Sequence, residues 1–202
     1  MIALRRVVLA SASPRRLELL RSLGLEVDVR PSAYDEPSDP LVTPQELAAR
    51  HAFEKATDVL RSVPLEVVVA ADTLVDVDGR ALGKPRDTAE ASQMLHVLSG
   101  RAHLVHTAYA LATPGSTRPF VETSTTEVRF FSLSDDEIDE YIATGEPMDK
   151  AGAYGIQGRA ASLVERIDGD FYTVMGFPLA RFVRALRRLG FALPAAKGIP
   201  ST

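Results

Sequence analysis

Compact apolar runs and apolar stripes of helical period alternate along the first half of the chain, the order expected of a layered α/β protein. Residues 7–10 form a short apolar run that predicts a buried strand. Ser13 and Pro14 follow as an N-cap and first helical residue, and Leu17, Leu19, Leu20 and Leu23 mark one helical face that stops at Gly24. Leu25, Val27 and Val29 alternate with Glu26 and Asp28, which predicts a half-buried strand, and a polar loop with Asp35, Glu36 and Asp39 comes next. Thr43, Pro44 and Glu46 compose a capping box with proline at the first helical position, so a helix should run to about residue 60.

Residues 65–71 are almost wholly apolar and rich in valine, as in a central strand covered on both faces. Asp72 should lie at the exit of that strand, with a hairpin turn at Asp78-Gly79. Asp87 and Glu90 cap a helix ending near Gly100, and two strand-like segments, 103–112 and 119–131, flank the turn residues Pro114 and Gly115. Ser134 with Glu137 opens a further helix ending near Gly145, and a last one should run from Pro178 to about Gly190. No repeat or low-complexity linker interrupts this order, so one domain is expected over residues 1–190, with a loose tail at 191–202.

Charge and composition remove several function classes. The chain's 23 basic and 27 acidic residues give a net charge of −4, so no global positive field exists to hold a nucleic-acid backbone. Tryptophan is absent and no basic-aromatic stripe appears, which argues further against nucleic acid as a partner. The absence of cysteine excludes disulfides, thiolate metal sites and cysteine nucleophiles. The apolar run after Arg5 and Arg6 is too short for a secretory signal, and no run approaches the roughly 18 apolar residues that cross a bilayer. A soluble, cytoplasmic protein is expected. The histidines at 51, 96, 103 and 106 lack metal-ligand spacing and read as structural or surface residues, with His103 and His106 on opposite faces of a strand. Gly-x-Ser-x-Gly, Walker A and Rossmann glycine motifs are all missing.

Chemistry concentrates elsewhere. Ser11-Ala12-Ser13-Pro14-Arg15-Arg16 places two hydroxyls and two guanidinium groups where a strand hands over to a helix N-terminus. Cations oppose the helix dipole there, so the pair either meets an anion such as phosphate or is solvated beside an ordinary Ser-Pro cap. Asp72 and Thr73 emerge together after the central apolar run, where a carboxylate binds Mg²⁺, accepts a proton from water, or merely caps a turn. Glu36 either supplies a second carboxylate to the same ion or is solvated in its loop. Lys55 sits mid-helix among small apolar residues and must snorkel or find an anion, and Lys84 lies in Gly83-Lys84-Pro85 after the hairpin. The glycine-rich stretch 148–158 either lines a site or is a plain connection.

Taken together, Leu9-Ala10-Ser11-Ala12-Ser13-Pro14-Arg15-Arg16, Ala71-Asp72-Thr73, Leu82-Gly83-Lys84-Pro85, Leu98-Ser99-Gly100 and Asp149-Lys150-Ala151-Gly152-Ala153-Tyr154 through Gly158 resemble, in order, the signature blocks of Maf-type nucleotide pyrophosphatases. The Gly155-Ile156-Gln157-Gly158 form of the last block is similar to the dTTP/UTP branch rather than the 7-methyl-GTP branch. The chain departs from the usual pattern at Ala108-Tyr109 and at Asp76. The resemblance implies an α/β fold with an elongated mixed β-sheet flanked by helices, like that of inosine triphosphatases, two lobes around a central cleft, and commonly a homodimer. It implies a nucleoside triphosphate substrate, dTTP or UTP with CTP and modified pyrimidines as further candidates, cleaved to the monophosphate and pyrophosphate. Asp72 would be the proton acceptor. A divalent cation, Mg²⁺ or Mn²⁺, would lie on Asp72 and Glu36. Ser11, Ser13, Arg15, Arg16, Lys55 and Lys84 would bind the phosphates, and Arg15, Thr73 and Gln157 would set substrate choice. Two rival readings use the same residues: a nucleotide-binding regulator of septum formation without essential turnover, and a 7-methyl-GTP pyrophosphatase.

Overall fold

Helices begin where the sequence provides caps. In the computed structural model, which describes residues 1–195, the Ser13 hydroxyl accepts from the Arg16 amide at the start of α1 (Pro14–Ser22), and Thr43 and Glu46 close a full capping box on α2 (Pro44–Leu60). Asp87 caps α3 (Thr88–Leu98), and a second capping box, Ser134 with Glu137, opens α4 (Asp135–Ala143). Two more helices follow, α5 (Phe171–Met175) and α6 (Leu179–Arg188). No helix of the described residues is long and apolar enough to cross a membrane.

The strands are β1 (Ile2–Ala3), β2 (Arg6–Leu9), β3 (Glu26–Val29), β4 (Val68–Val77), β5 (Arg80–Leu82), β6 (Ala102–Ala112), β7 (Phe120–Phe130), β8 (Val164–Asp168) and β9 (Phe191–Ala192). Seven form one mixed sheet in the order β3-β2-β4-β6-β7-β8, with β5 added to β4. The β2 pairings are parallel and those from β4 to β8 antiparallel, while β5 returns on β4 through a turn with Asp78 and Gly79 at φ of 53° and 81°. Strand β8 and helix α5 had no clear sequence pattern, since their burial is irregular and their lengths short. The tail expectation needs correction: Phe191 and Ala192 pair in parallel with Ile2 and Ala3. The rest of that expectation, from residue 196 on, lies outside the described residues.

Asp72 does not mark the exit of its strand, because β4 continues to Val77. The apolar run stops at Ala71 because burial on both faces stops there, and the alternating residues beyond it still suit a strand. What ends just before Asp72 is β2, whose last paired residue, Leu9, lies opposite Val69. One edge of β4 pairs with β2 at Val68 and Val69 and with β5 at residues 75–77, so residues 70–74 have no strand neighbour on that side. This opening in the sheet becomes the cleft.

Three cores surround it. On one face of the β2 and β4 region, alanines 48, 52 and 56 of α2 let that helix lie close against Val68, Ala70 and Ala108. On the other face α1 and α6 bury Leu19, Leu20, Phe182 and Leu186 against Leu9, Val69 and Tyr109. The far half of β4 packs with α3 and α4 through Val75, Leu95, Leu98, Phe130 and Ile138. These form the two walls between which the cleft opens.

The third core contains a titratable strain. Burial pushes the His103 imidazole down to about 4, aided by the charge of Arg101. Its Nε2 meets the Tyr154 hydroxyl at 2.8 Å, whereas Nδ1 is buried without a partner. Because the folded value lies below the usual one near 6.5, the unfolded chain binds more protons between those limits. Stability is then expected to fall by roughly 3 kcal/mol from this group as pH drops from 7 to 4. Urea midpoints of wild type and His103→Gln across that range check this, and a variant with the same pH slope would contradict it.

Candidate active site

A cleft of about 670 Å³ opens at the gap in β4 and is lined by every residue singled out from the sequence as a site candidate. Successive strand residues point to opposite faces, so Asp72 meets α2 and Thr73 meets α1. On the α2 side, Lys55 reaches down with its Nζ 2.7 Å from Asp72 Oδ1 and 2.5 Å from Glu36 Oε1. The side chains of Lys55 and Asp72 are 9% and 6% exposed, whereas Glu36 is half-exposed, so only the first two form a desolvated pair. Burial pushes the Glu36 carboxyl up, but its hydrogen bond and charge contact with Lys55 outweigh this and leave it below the usual carboxylate range. Lys55 was expected on phosphate; here it joins two carboxylates.

The second oxygen of Asp72, Oδ2, is buried and has no hydrogen-bond partner. A buried carboxylate oxygen without a donor needs water, a proton or a cation. No group of three or more His, Cys, Asp or Glu side chains among the described residues is placed to hold a metal ion. Asp72 and Glu36 therefore supply only two carboxylates, the donor set that Mg²⁺ uses when substrate phosphates and water complete its shell.

On the α1 side, Arg16 is held by three bonds: Nε to the Gly176 carbonyl at 3.0 Å, Nη1 to Ser11 Oγ at 3.2 Å and Nη2 to Thr73 Oγ1 at 3.2 Å. Burial pushes its guanidinium below the usual value, and the charge of Asp72 opposes that. Ser11 Oγ also accepts from the Ser13 amide at 3.2 Å, and Ser13 Oγ caps α1. Both hydroxyls thus act as acceptors within the protein and keep a proton to donate. Arg15 crosses the cleft to Asp149 Oδ2 at 3.4 Å. Lys84 stands exposed on the opposite wall.

Gln157 sits at the rim, exposed, on a loop made of short 3₁₀ turns. Tyr141 Oη accepts from the Gly155 amide at 3.2 Å, and the Lys150 stem runs over Gly155 where any Cβ would collide with it. Lys150 Nζ in turn binds the Glu146 carbonyl at 2.7 Å and Asp149 at 2.6 Å. The glycine in that sequence serves close approach, and the loop is a braced wall.

Two polar lining residues, His51 and Tyr34, were not read as site residues from the sequence. His51, read as structural, lies buried in the cleft wall with Tyr34 Oη 3.2 Å from its Nδ1. Burial lowers its proton affinity, against the pull of Asp72 and Glu36. The signal existed: Leu47, His51 and Lys55 recur every four residues on one face of α2. Tyr34 carried none, because only folding brings its loop to the cleft, whereas Asp149 lies in the stretch 148–158 that the sequence offered as a site lining. The departures at Tyr109 and Asp76 lie off the cleft, where Tyr109 Oη donates to Glu122 at 3.1 Å and Asp76 meets His106 at 3.1 Å.

Residues 6–189 match a family model described as Maf-like protein. The chain is 49% identical over 183 residues to a dTTP/UTP pyrophosphatase of Bacillus velezensis, covering 91% of this chain and 96% of that one. It is 48% identical over 190 residues to a dTTP/UTP pyrophosphatase of Symbiobacterium thermophilum, covering 94% and 97%. Among solved structures, a dITP/XTP pyrophosphatase from Mycobacterium abscessus is similar at a TM-score of 0.43 and 18% identity, covering 91% of this chain and 98% of that one. A family match spanning nearly the whole described chain, with four of the five signature blocks contributing to one cleft and Leu98-Ser99-Gly100 lying away from it, means that this chain belongs to the Maf-like protein family.

Proposed function

We propose that the chain is a nucleoside triphosphate pyrophosphatase that hydrolyses dTTP and UTP to the monophosphate and pyrophosphate. The buried Asp72 carboxylate carries this reading, with one oxygen tied to Lys55 and the other without a partner, beside a ring of cations in the cleft. The relatives' activity supplies the bond that is cleaved. The triphosphate lies between the two walls, with Arg15, Arg16 and Lys84 on its phosphates and Ser11 and Ser13 donating their remaining protons. Lys55 fixes Asp72 from behind and adds charge at the phosphate end. Asp72 Oδ2 accepts a proton from the attacking water, an oxygen–phosphorus bond forms at the α-phosphorus, and the bond to pyrophosphate breaks. A divalent cation, Mg²⁺ or Mn²⁺, held by Asp72 and Glu36 would neutralise charge on the phosphates.

Gln157 reads the base. A primary amide both donates and accepts, so held in one orientation it matches the O4 acceptor and N3–H donor of uracil and thymine, and only turned over would it match the amine and bare N3 of cytosine. Thr73 was expected to share in this choice, but its hydroxyl is already engaged by Arg16 and Thr107. Its influence on substrate runs through Arg16. The cytoplasmic address and the homodimer that the family resemblance implies belong to the same reading, with cell fractionation and sedimentation as their checks.

One assay tests the core of it. With Mg²⁺, phosphorus NMR should show pyrophosphate as the first product from UTP and dTTP, and chelation should stop the reaction. Orthophosphate with nucleoside diphosphate would place the attack elsewhere, and no turnover with either metal would favour a binding regulator. In the same assay Gln157→Glu should reduce the preference for UTP over CTP by roughly 5- to 150-fold, the size of one donor–acceptor mismatch buried beneath the bound base. An unchanged ratio would assign base reading to other residues.

A further inference from the structure

We propose that Thr107, which does not line the cleft, is a positioning residue for Arg16, acting through a buried relay of hydroxyl groups that aims the guanidinium at the triphosphate. The inference rests on the pyrophosphatase reading and adds a residue to it.

The direction of each proton in the relay follows from its far end. Thr107 Oγ1 lies 2.7 Å from the Thr173 carbonyl oxygen and 2.9 Å from Thr73 Oγ1. A carbonyl only accepts, so Thr107 gives its single proton to Thr173. Thr73 must then give its own proton to Thr107. The Thr73 lone pairs are left facing Arg16 Nη2, 3.2 Å away, which can only donate. Each hydroxyl is thereby locked in one rotor state, and the lock originates at a backbone carbonyl of α5.

That carbonyl is itself fixed. Thr173 Oγ1 lies 2.8 Å from Ser124 Oγ and 3.0 Å from Asp170 Oδ2, and Thr173 is fully buried. Thr126 Oγ1 binds the amide of Asp170 at 2.9 Å and its carbonyl at 3.0 Å, which clamps the start of α5 to β7. Arg16 meets the same segment a second time, since its Nε donates to the Gly176 carbonyl just past α5. With Ser11 on Nη1, every guanidinium nitrogen has one protein partner. Because the group is planar and rigid, the N–H still free on Nη1 and on Nη2 then point in set directions, the pre-organisation that a bidentate phosphate contact requires. Without Thr107, the Thr73 proton turns freely and competes with Arg16 for the space between them.

The test measures binding, so that it is independent of turnover; UTP hydrolysis by wild type is assayed separately and decides the enzyme reading alone. Calorimetric Kd values for the hydrolysis-resistant probe α,β-methylene-UTP with Mg²⁺ are compared in two backgrounds. Thr107→Val should weaken binding roughly ten-fold, the scale of one lost hydrogen bond to a charged group, and Thr107→Ser should restore it. In an Arg16→Gln background the same valine substitution should change Kd by less than about two-fold, since effects that travel through one partner do not add. Thr73→Val should match Thr107→Val, with the double variant no weaker than either, and it carries the test if Thr107→Val does not fold. Failure of wild type to bind the probe, wild-type affinity in Thr107→Val, or an equal loss in both backgrounds would each overturn the relay, the last by showing a purely structural role.

Discussion

Asp72→Asn is expected to lower turnover of UTP by at least about 100-fold while the protein stays folded, because loss of a positioned general base costs about 10²- to 10⁴-fold. The substitution keeps the size and planarity of the side chain and removes its charge and its basicity. Lys55 retains Glu36 as a partner at 2.5 Å, so the lysine is not stranded. The unpartnered Oδ2 is where an amide would do the damage: an Nδ2 there donates and cannot take a proton from water, and an Oδ there is far too weak a base. Single-turnover rates with the nucleotide saturating separate this from weaker binding. Activity within a few-fold of wild type would reduce Asp72 to a structural partner of Lys55.

Lys55→Met is expected to lose as much activity and, unlike Asp72→Asn, a large part of the stability. Methionine fills nearly the same space but leaves Asp72, 6% exposed, beside Glu36 with no cation between them. Breaking a buried pair by removing one partner costs roughly 3–5 kcal/mol, and the lower figure applies because Glu36 stays half in solvent. For a chain of this length that is a fall in Tm of about 6–12 °C. The two carboxylates also repel the incoming triphosphate, so kcat/KM should fall at least about 100-fold, with much of the loss in KM. The sign of the Tm change is the discriminating result. Were Lys55 chiefly a phosphate ligand crowded by Arg16 and Lys84, its removal would relieve repulsion and raise Tm.

These two variants test one contact whose partners are each visible in the sequence and whose pairing is not. Lys55 announced itself as a cation on the apolar face of a helix, and Asp72 as a carboxylate beside the most apolar run of the chain. Neither pattern revealed that they were each other's partner, because 17 residues and a strand boundary separate them. From its helix pattern Lys55 either snorkels or meets an anion, and only the family resemblance points it to phosphate. Thr73 illustrates the same limit, since its neighbour Asp72 fixed its strand but its hydroxyl is claimed by Arg16 and Thr107, from two other elements. His51 is legible in principle, four residues before Lys55 on the same face of α2, but an isolated histidine without metal-ligand spacing carries no signal of its own.

Local elements and family membership are legible from residue order alone. Caps at Ser13, Thr43, Asp87 and Ser134 act within four residues, and alternating or helical apolar patterns report burial that is nearly the same for any arrangement of the layers. The position of the cleft comes from how the strands pair. It opens because β2 leaves the edge of β4 after Val69 and β5 does not arrive until Val75, a matter of which strands pair and for how long. Strand pairing depends on backbone hydrogen bonds between distant segments, which leave little trace in side-chain order. The same holds for the direction of each proton from Thr173 to Arg16, which depends on a carbonyl 157 residues along the chain and on a helix of five residues that no periodicity marks.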